Sequence, residues 1–455
     1  MSSGTASVSA ISRSRGTTTE RMYSRVVARM SAKSSAPTSV SLSVSVSTTG
    51  VALLGCSLMV SPLSAGDGCR GTQSTLYASN YYHDLHCGAT GPPHNREPLM
   101  TEPSASRPLD GIRVVELSSF VASPLCGLTL AQLGAEVIRV DPVGGAADVN
   151  RWPLAPDGTS IYWTGLNRGK ASVTLDLRSD DGRRAFRELV TAPGEGGGIL
   201  VTNSGGRSWM SHDVLAADRE DVITLELLGR RDGRPGVDYT VNAALGFPAI
   251  TGPGSGRVVN HALPAWDVAA GLHAALAVVA AVRERERTGR GRRIVLPLDD
   301  VALATAGTLG YLTEPQLDGS SRPAVGNHVY GTFGTDFTTC DGGRFMIVAL
   351  TTRHFHDLAR LTGTREAVDA LETATGADFT EESDRYSYRE VLAALFARWF
   401  SARTTDEVAR ALADSVVLHE RYRTFAEVVS EGELETNPLF SRLDQPGIGP
   451  YLAAA

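Results

Sequence analysis

From residue 108 onward, short apolar runs rich in β-branched residues alternate with longer segments of helical period. Residues 112–117 (IRVVEL) and 135–140 (AEVIRV) have the length and composition of buried strands. Between them, 125–133 is apolar and leads to Gly134, a natural helix terminator. Strand, helix and strand within about thirty residues predict a parallel pair joined by a right-handed crossover. Further strands are expected at 171–175, 198–202 and 222–227, with a helix at 182–190. Residues 266–287 predict a long helix with Ala- and Leu-rich turns and a charged end, RERER. The TGRG stretch breaks it before a strand at 293–298. The fold class expected is α/β, an open, mostly parallel, Rossmann-like sheet with helices on both faces.

The pattern changes after residue 314, which closes a large domain starting at 107. Residues 315–326, rich in Gly, Pro and Ser, read as a linker. Strands around the Asp341-Gly342-Gly343 turn, then helical periods over 354–413, predict a smaller α+β domain at 327–415. A helix at 421–431 and a turn-rich tail make 416–455 a return to the large domain.

Residues 1–106 follow neither period. The first fifty hold 15 Ser and 7 Thr, six basic residues and a single acid, Glu20. Such a tract buries too little apolar surface to offset chain entropy, so a disordered leader is expected. Three origins stay open: an organellar transit peptide, a secretory signal, or an upstream start with the natural one near Met100.

Composition narrows the function classes. A chain of 455 residues that is 42% hydrophobic suits two or three domains and excludes wholesale disorder. A net charge of -7 lacks the basic footprint of a dedicated nucleic-acid binder. No run of about 18 apolar residues appears, so no membrane partner is expected. The 5 cysteines have no CxxC spacing, which argues against a disulfide framework or a zinc site, and no metal ligands are predicted. Only Cys126 and Cys340 lie beyond the leader, and the cytoplasm is the expected location.

Two glycine clusters, Gly252-Pro253-Gly254-Ser255-Gly256 and residues 194–198, are candidate phosphate cradles, but neither is GxGxxG and turns are the plainer reading. The basic cluster at 283–293 reads as a solvated helix C-terminus, where cations complement the dipole. Cys126 reads as core packing, and His261 and His273 lack an HxxxH partner. Asp267 follows Leu263-Pro264-Ala265-Trp266 at the mouth of the long helix. It is either the helix N-cap or a carboxylate held ionised as a nucleophile. Asp238 is a second carboxylate of a pair or a turn residue.

Longer blocks carry a resemblance. RPLDGIRVVELSSFVASPLCGLTLAQLGAEVIRVDP, LNRGKASVTLDL and TGRGRRIVLPLDD resemble the family III CoA-transferases, which include acyl-CoA racemases. The resemblance spans about 107–450 and implies that family's fold as an interlocked homodimer. It implies coenzyme A as part of a thioester substrate, with no permanently bound cofactor. It makes Asp267 the nucleophile. It also implies CoA contacts at Phe120, Val121, Ala122, Leu175, Asn203 and Arg207, and a mobile cover at Asn327, Tyr330 and Gly331. Within the Asn203–Arg207 loop, Ser204-Gly205-Gly206 departs from the pattern of the most similar members. Where the racemases carry a His-Asp pair, this chain has Val237-Asp238, which lacks the base for α-proton removal.

GRRDGRPGVDYTVN, VVNHALPAWD, GNHVYGTFGTDF and TNPLF…DQPGIGPYL resemble a narrower group of the family. Those members move CoA between the C1 and C4 carboxyls of one small branched dicarboxylic acid, mesaconate, by way of an aspartyl-CoA thioester. The alternatives are intermolecular transfer to another acid and, less favoured, racemase chemistry. Arg230 or Arg231 is expected to hold the free carboxylate.

Overall fold

The computed structural model describes residues 107–254 and 256–454, so the readings of the leader lie outside the described residues. Six strands form the main sheet: β1 (Arg113–Leu117), β2 (Glu136–Pro142), β3 (Ala171–Leu175), β4 (Ile199–Thr202), β5 (Ile223–Leu228) and β6 (Arg292–Pro297). All pairs are parallel, in the order β3-β2-β1-β4-β5-β6. The order reverses between β1 and β4, so the loops leaving them diverge and open a crevice at their C-terminal ends.

Alternation along each strand splits the core in two. Val114, Val137, Ile199, Val201, Ile223 and Leu225 face one cluster, and Val115, Leu117, Val140 and Leu200 face the other. The helices of this part of the chain are α1 (Ala122–Gln132), α2 (Ile161–Asn167), α3 (Asp180–Thr191), α4 (His212–Asp218), α5 (Asp238–Ala244), α6 (Phe247–Ile250), α7 (Ala265–Thr288), α8 (Leu298–Thr308) and α9 (Glu314–Asp318). The α3 helix shows how the sequence specifies them. Ser179 caps it by accepting from the Gly182 amide at 3.0 Å, Asp180 and Asp181 fill its first turn, and Phe186 and Val190 bury one face.

The α7 helix crosses the first cluster with Ala270, Ala274, Val278 and Val282 buried, and stops at Gly289 in the left-handed region. A side chain at Gly271 would meet the Ala122 carbonyl at 2.7 Å, so glycine permits its close approach to α1. By length and composition alone α7 is apolar enough to cross a membrane, with hydropathy 1.7. This corrects the expectation that no segment passes that test. Here the apolar residues are spent on a protein core. Arg285 departs from the solvated cluster too: it is buried and donates to the Gly197 carbonyl at 2.7 Å.

Beyond α9 come β7 (Phe333–Thr338), β8 (Arg344–Ala349), helices α10 (Thr352–Thr362), α11 (Arg365–Thr375), α12 (Glu382–Ser387), α13 (Arg389–Ser401) and α14 (Thr405–Ala413), then β9 (Leu418–Arg421). The three strands pair antiparallel in sequence order. Their core is aromatic: Phe333, Phe337, Phe345, Phe355, Phe379, Phe396 and Phe400 pack together, with Phe337 and Phe400 stacked at 4.4 Å. Two boundaries differ from the sequence reading. The α9 helix overlaps the start of the 315–326 linker, and β9, read as part of the return at 416–455, pairs with β8. After two short helices, α15 (Phe425–Ser430) and α16 (Glu433–Thr436), the hairpin of β10 (Phe440–Gln445) and β11 (Gly449–Ala454) reaches the large sheet's side. There Arg168 donates to the Ala454 carbonyl, and Gly447 fits against Thr159 and Asp157.

Neither glycine cluster is a phosphate cradle. Gly196 accepts from the Arg113 amide at 2.9 Å, at the N-terminal edge of the sheet. Gly252 accepts from the Gly326 amide at 2.8 Å, and a side chain at Gly254 would meet the Ala324 carbonyl at 2.7 Å. The second cluster is therefore where the linker docks.

Candidate active site

The turn from β1 into α1 is clamped at three successive residues. The Ser118 carbonyl accepts from Arg139 Nη2 at 2.9 Å. The Asn203 side-chain amide accepts from the Ser119 amide at 3.1 Å and donates to the Ser119 carbonyl at 2.7 Å. The Phe120 amide donates to Asp148 Oδ2 at 2.8 Å. Phe120 has φ +68°, the single positive value on a non-glycine residue among the described residues. Such a conformation costs about 1–3 kcal/mol and persists where the surroundings impose it.

Those surroundings are a buried ionic cluster. Arg139 bonds Asp141 at 2.9 Å and Glu116 at 3.2 Å, and Lys170 bonds Glu116 at 2.9 Å. All four side chains are nearly inaccessible, and burial lowers the Lys170 pKa. Gly127 leaves room for the Glu116 carboxylate, which would lie 1.7 Å from any Cβ there. Just beyond the clamped turn, the Ala122 and Ser123 amides at the start of α1 have no acceptor among the described residues. The buried Ser123 hydroxyl also lacks a partner.

On the facing element, Asp267 is the third residue of α7, not its cap. Asp238, the first residue of α5, caps α7 from outside. Its Oδ2 accepts from the Trp266 amide at 2.7 Å and the Asp267 amide at 3.2 Å. Its Oδ1 meets His261 Nε2 at 2.9 Å, and Asp238 is 2% exposed. The cap reading of Asp267 is therefore corrected, and so is the turn reading of Asp238. The arrangement also places an imidazole on Asp238 that Val237 does not supply.

The half-buried Asp267 carboxylate carries no hydrogen bond among the described residues. Burial, then the Asp238 charge, raises its pKa to about 6, against an opposing pull from Arg151. Arg151 lies over the rings of Phe120 at 5.7 Å and Tyr162 at 5.2 Å. Burial pushes the Tyr162 hydroxyl up to about 12. Sequence reading missed Arg151, because a single arginine in a loop has no period or motif to mark it.

The remaining expected residues scatter. Arg207 lines a cavity of about 340 Å³ with Thr202, His212, Glu226 and Arg293. A side chain at Gly205 would lie 1.4 Å from the Glu226 carboxylate and would displace it. Leu175, at the end of β3, is half-buried against the second core cluster. Val121 and Ala122 are buried at the start of α1. Asn203, an expected CoA contact, bonds Ser119 through both ends of its side-chain amide. Arg231 is committed to an ion pair with Asp300, and Arg230 reaches the Thr240 carbonyl at 3.4 Å. Among the described residues neither makes a contact with Asp267. In the expected cover, Asn327 donates to Asp336 at 2.8 Å and Gly331 has φ +84°. The Tyr330 hydroxyl donates to Glu314 at 2.6 Å, and its ring meets Arg322 at 4.4 Å and Tyr386 at 5.1 Å.

The family model described as CoA-transferase family III matches residues 109–455. The chain belongs to this family. Among its relatives, 2-methylfumaryl-CoA isomerase of Chloroflexus aurantiacus is 47% identical over 348 residues, covering 76% of this chain and 85% of that protein. Succinyl-CoA:mesaconate CoA-transferase of Haloarcula hispanica is 27% identical over 76% of this chain and 88% of its own length. A solved CAIB/BAIF family protein from Brucella suis shares the fold with TM-score 0.63 and 26% identity, over 76% of this chain and 90% of its own. The family III fold expected from the sequence is thus present, with its six-stranded parallel sheet and small antiparallel sheets.

Proposed function

We propose that this chain moves CoA between the C1 and C4 carboxyls of mesaconate, the intramolecular reaction for which its 47% identical relative is named. The observation that carries the reading is Asp267. Asp238 caps the helix in its stead, which leaves a fixed carboxylate with no partner at the crevice.

Ionised Asp267 attacks the thioester carbonyl of mesaconyl-C1-CoA. The C–S bond breaks, giving a mixed anhydride and CoA thiolate. The thiolate attacks the Asp267 carbonyl, the anhydride C–O bond breaks, and aspartyl-CoA and free mesaconate remain. The other mesaconate carboxylate then attacks aspartyl-CoA, and the two steps run backward to place CoA on C4. No net proton or electron moves.

Each addition creates an oxyanion. The first amides of α7 are taken: Trp266 and Asp267 donate to Asp238, and Val268 donates to Pro264. The open Ala122 and Ser123 amides of α1 are the donors that fit this role. The segment at Asn327–Gly331 excludes water from the two hydrolysable intermediates.

Incubating mesaconyl-C1-CoA alone with the enzyme yields the C4 thioester, and Asp267→Ala abolishes both the product and any hydroxylamine-sensitive adduct. An active Asp267→Ala enzyme sinks the scheme. Intermolecular transfer is the second reading, since the 27% identical relative is named for it. Labelled free mesaconate entering the product at the rate of turnover supports that reading instead. The chain works as a homodimer, supported by apolar residues exposed along α7 and α8, Leu272, Leu276 and Leu303. The unpaired Cys126 and Cys340 suit a reduced compartment, the cytoplasm.

A further inference from the structure

We propose that Arg151 binds the free carboxylate of the substrate, and so selects a dicarboxylic acyl group and retains it between the two halves of the reaction. The inference rests on Asp267 as the nucleophile.

Three observations converge on it. The Arg151 guanidinium is close enough to Asp267 to act on its ionisation, yet the two form no ion pair. None of its N–H groups is spent on an acceptor among the described residues. Its position is fixed from both ends. The Arg151 amide donates to the Asp148 carbonyl at 3.0 Å, and its carbonyl accepts from Ser160. The head rests on Phe120, whose amide Asp148 also holds, and on Tyr162. One aspartate thus sets both the strained turn and the root of the arginine.

A guanidinium in such contact keeps its in-plane donors for a carboxylate, which it receives with two parallel hydrogen bonds. Arg231, expected along with Arg230 as a holder of the carboxylate, is instead paired with Asp300. The site therefore sets the unpaired Asp267 carboxylate within electrostatic reach of a cation whose donors are unspent. A diacid bridges them: one end reacts at Asp267 while the other rests on Arg151. Once CoA sits on Asp267, the released acid carries two carboxylates. It turns end for end, exchanging which carboxylate Arg151 holds. The arginine thus serves both halves of the reaction and keeps the acid from escaping, without forming or breaking a bond itself.

The test compares wild type with Arg151→Gln on two thioesters, mesaconyl-C1-CoA and butyryl-CoA, which has no second carboxylate. Wild type must first convert mesaconyl-C1-CoA to the C4 thioester; if it does not, the proposed function fails before this inference is reached. The expected result is a loss of about 100-fold in kcat/KM on mesaconyl-C1-CoA. Hydroxylamine trapping of the butyryl-CoA adduct stays at the wild-type rate, which also shows that the variant is folded. Labelled free mesaconate enters the product of the variant more readily, relative to turnover, than that of wild type. Added guanidinium restores part of the mesaconyl activity to Arg151→Ala. Two results overturn the inference: unchanged conversion by Arg151→Gln, or equal loss on both thioesters, which would place Arg151 in service of Asp267 rather than of the substrate.

Discussion

Acidic residues in the first turn of a helix usually serve that helix's own amides. Asp238 takes over this duty for Asp267 from another helix, and the exchange has an electrical cost. Two carboxylates now stand close together, one of them fully enclosed, and Asp267 holds a proton up to a pH of about 6 rather than 3.8. Its nucleophilic form is the ionised one. Turnover at low substrate should therefore rise with pH through about 6 and level off above, falling about tenfold per unit below. In Asp238→Asn an amide oxygen can still accept from Trp266 and Asp267, but the like charge is gone. The acid limb of its kcat/KM profile should move to lower pH. An unmoved limb would mean that burial alone sets the Asp267 value.

Among the elements, the β1–α1 turn depends on charges that never meet solvent. Lys170→Met leaves Glu116 with a single cationic partner in a dry interior. Breaking a buried pair in this way costs about 3–5 kcal/mol. The urea midpoint should fall accordingly with the slope unchanged; a shift below about 1 kcal/mol would mean water reaches the cluster. This scale also shows where the sequence was readable. The strands of the main sheet and the long α7 helix follow from local period, and Asp267 stands out by its place before an apolar helix. Arg151 and the capping role of Asp238 do not. Each depends on side chains brought together from segments tens of residues apart, and neither leaves a periodic trace. Helix α1 begins three residues before its apolar run because Ala122, Ser123 and Pro124 are buried for reasons of packing, not of hydrophobicity. Strand β9 falls within the segment expected to return to the large domain, because LHER alternates too weakly to announce a strand; its pairing with β8 places it in the smaller lobe.

Over the whole molecule, apolar side chains remain outside on α7 and α8 after both cores are filled. Leu272, Leu276 and Leu303 are each nearly half exposed, apolar surface that a second copy would bury. Sedimentation should accordingly give twice the chain mass at micromolar concentration. Leu276→Glu should shift it toward the monomer, while a monomeric wild type would remove the homodimer from the scheme.

The smaller lobe begins after a linker that docks at Gly252 and Gly254, and its chain comes back to the large sheet through the β10–β11 hairpin at Thr159 and Arg168. A body tethered once can swing and twist in every direction. One tethered at two separate points keeps a single easy axis, the line through both. In the proposed scheme Tyr330, just past the outgoing tether and held to it by Glu314 and Arg322, would approach or leave the crevice along one arc, like a door on two hinges.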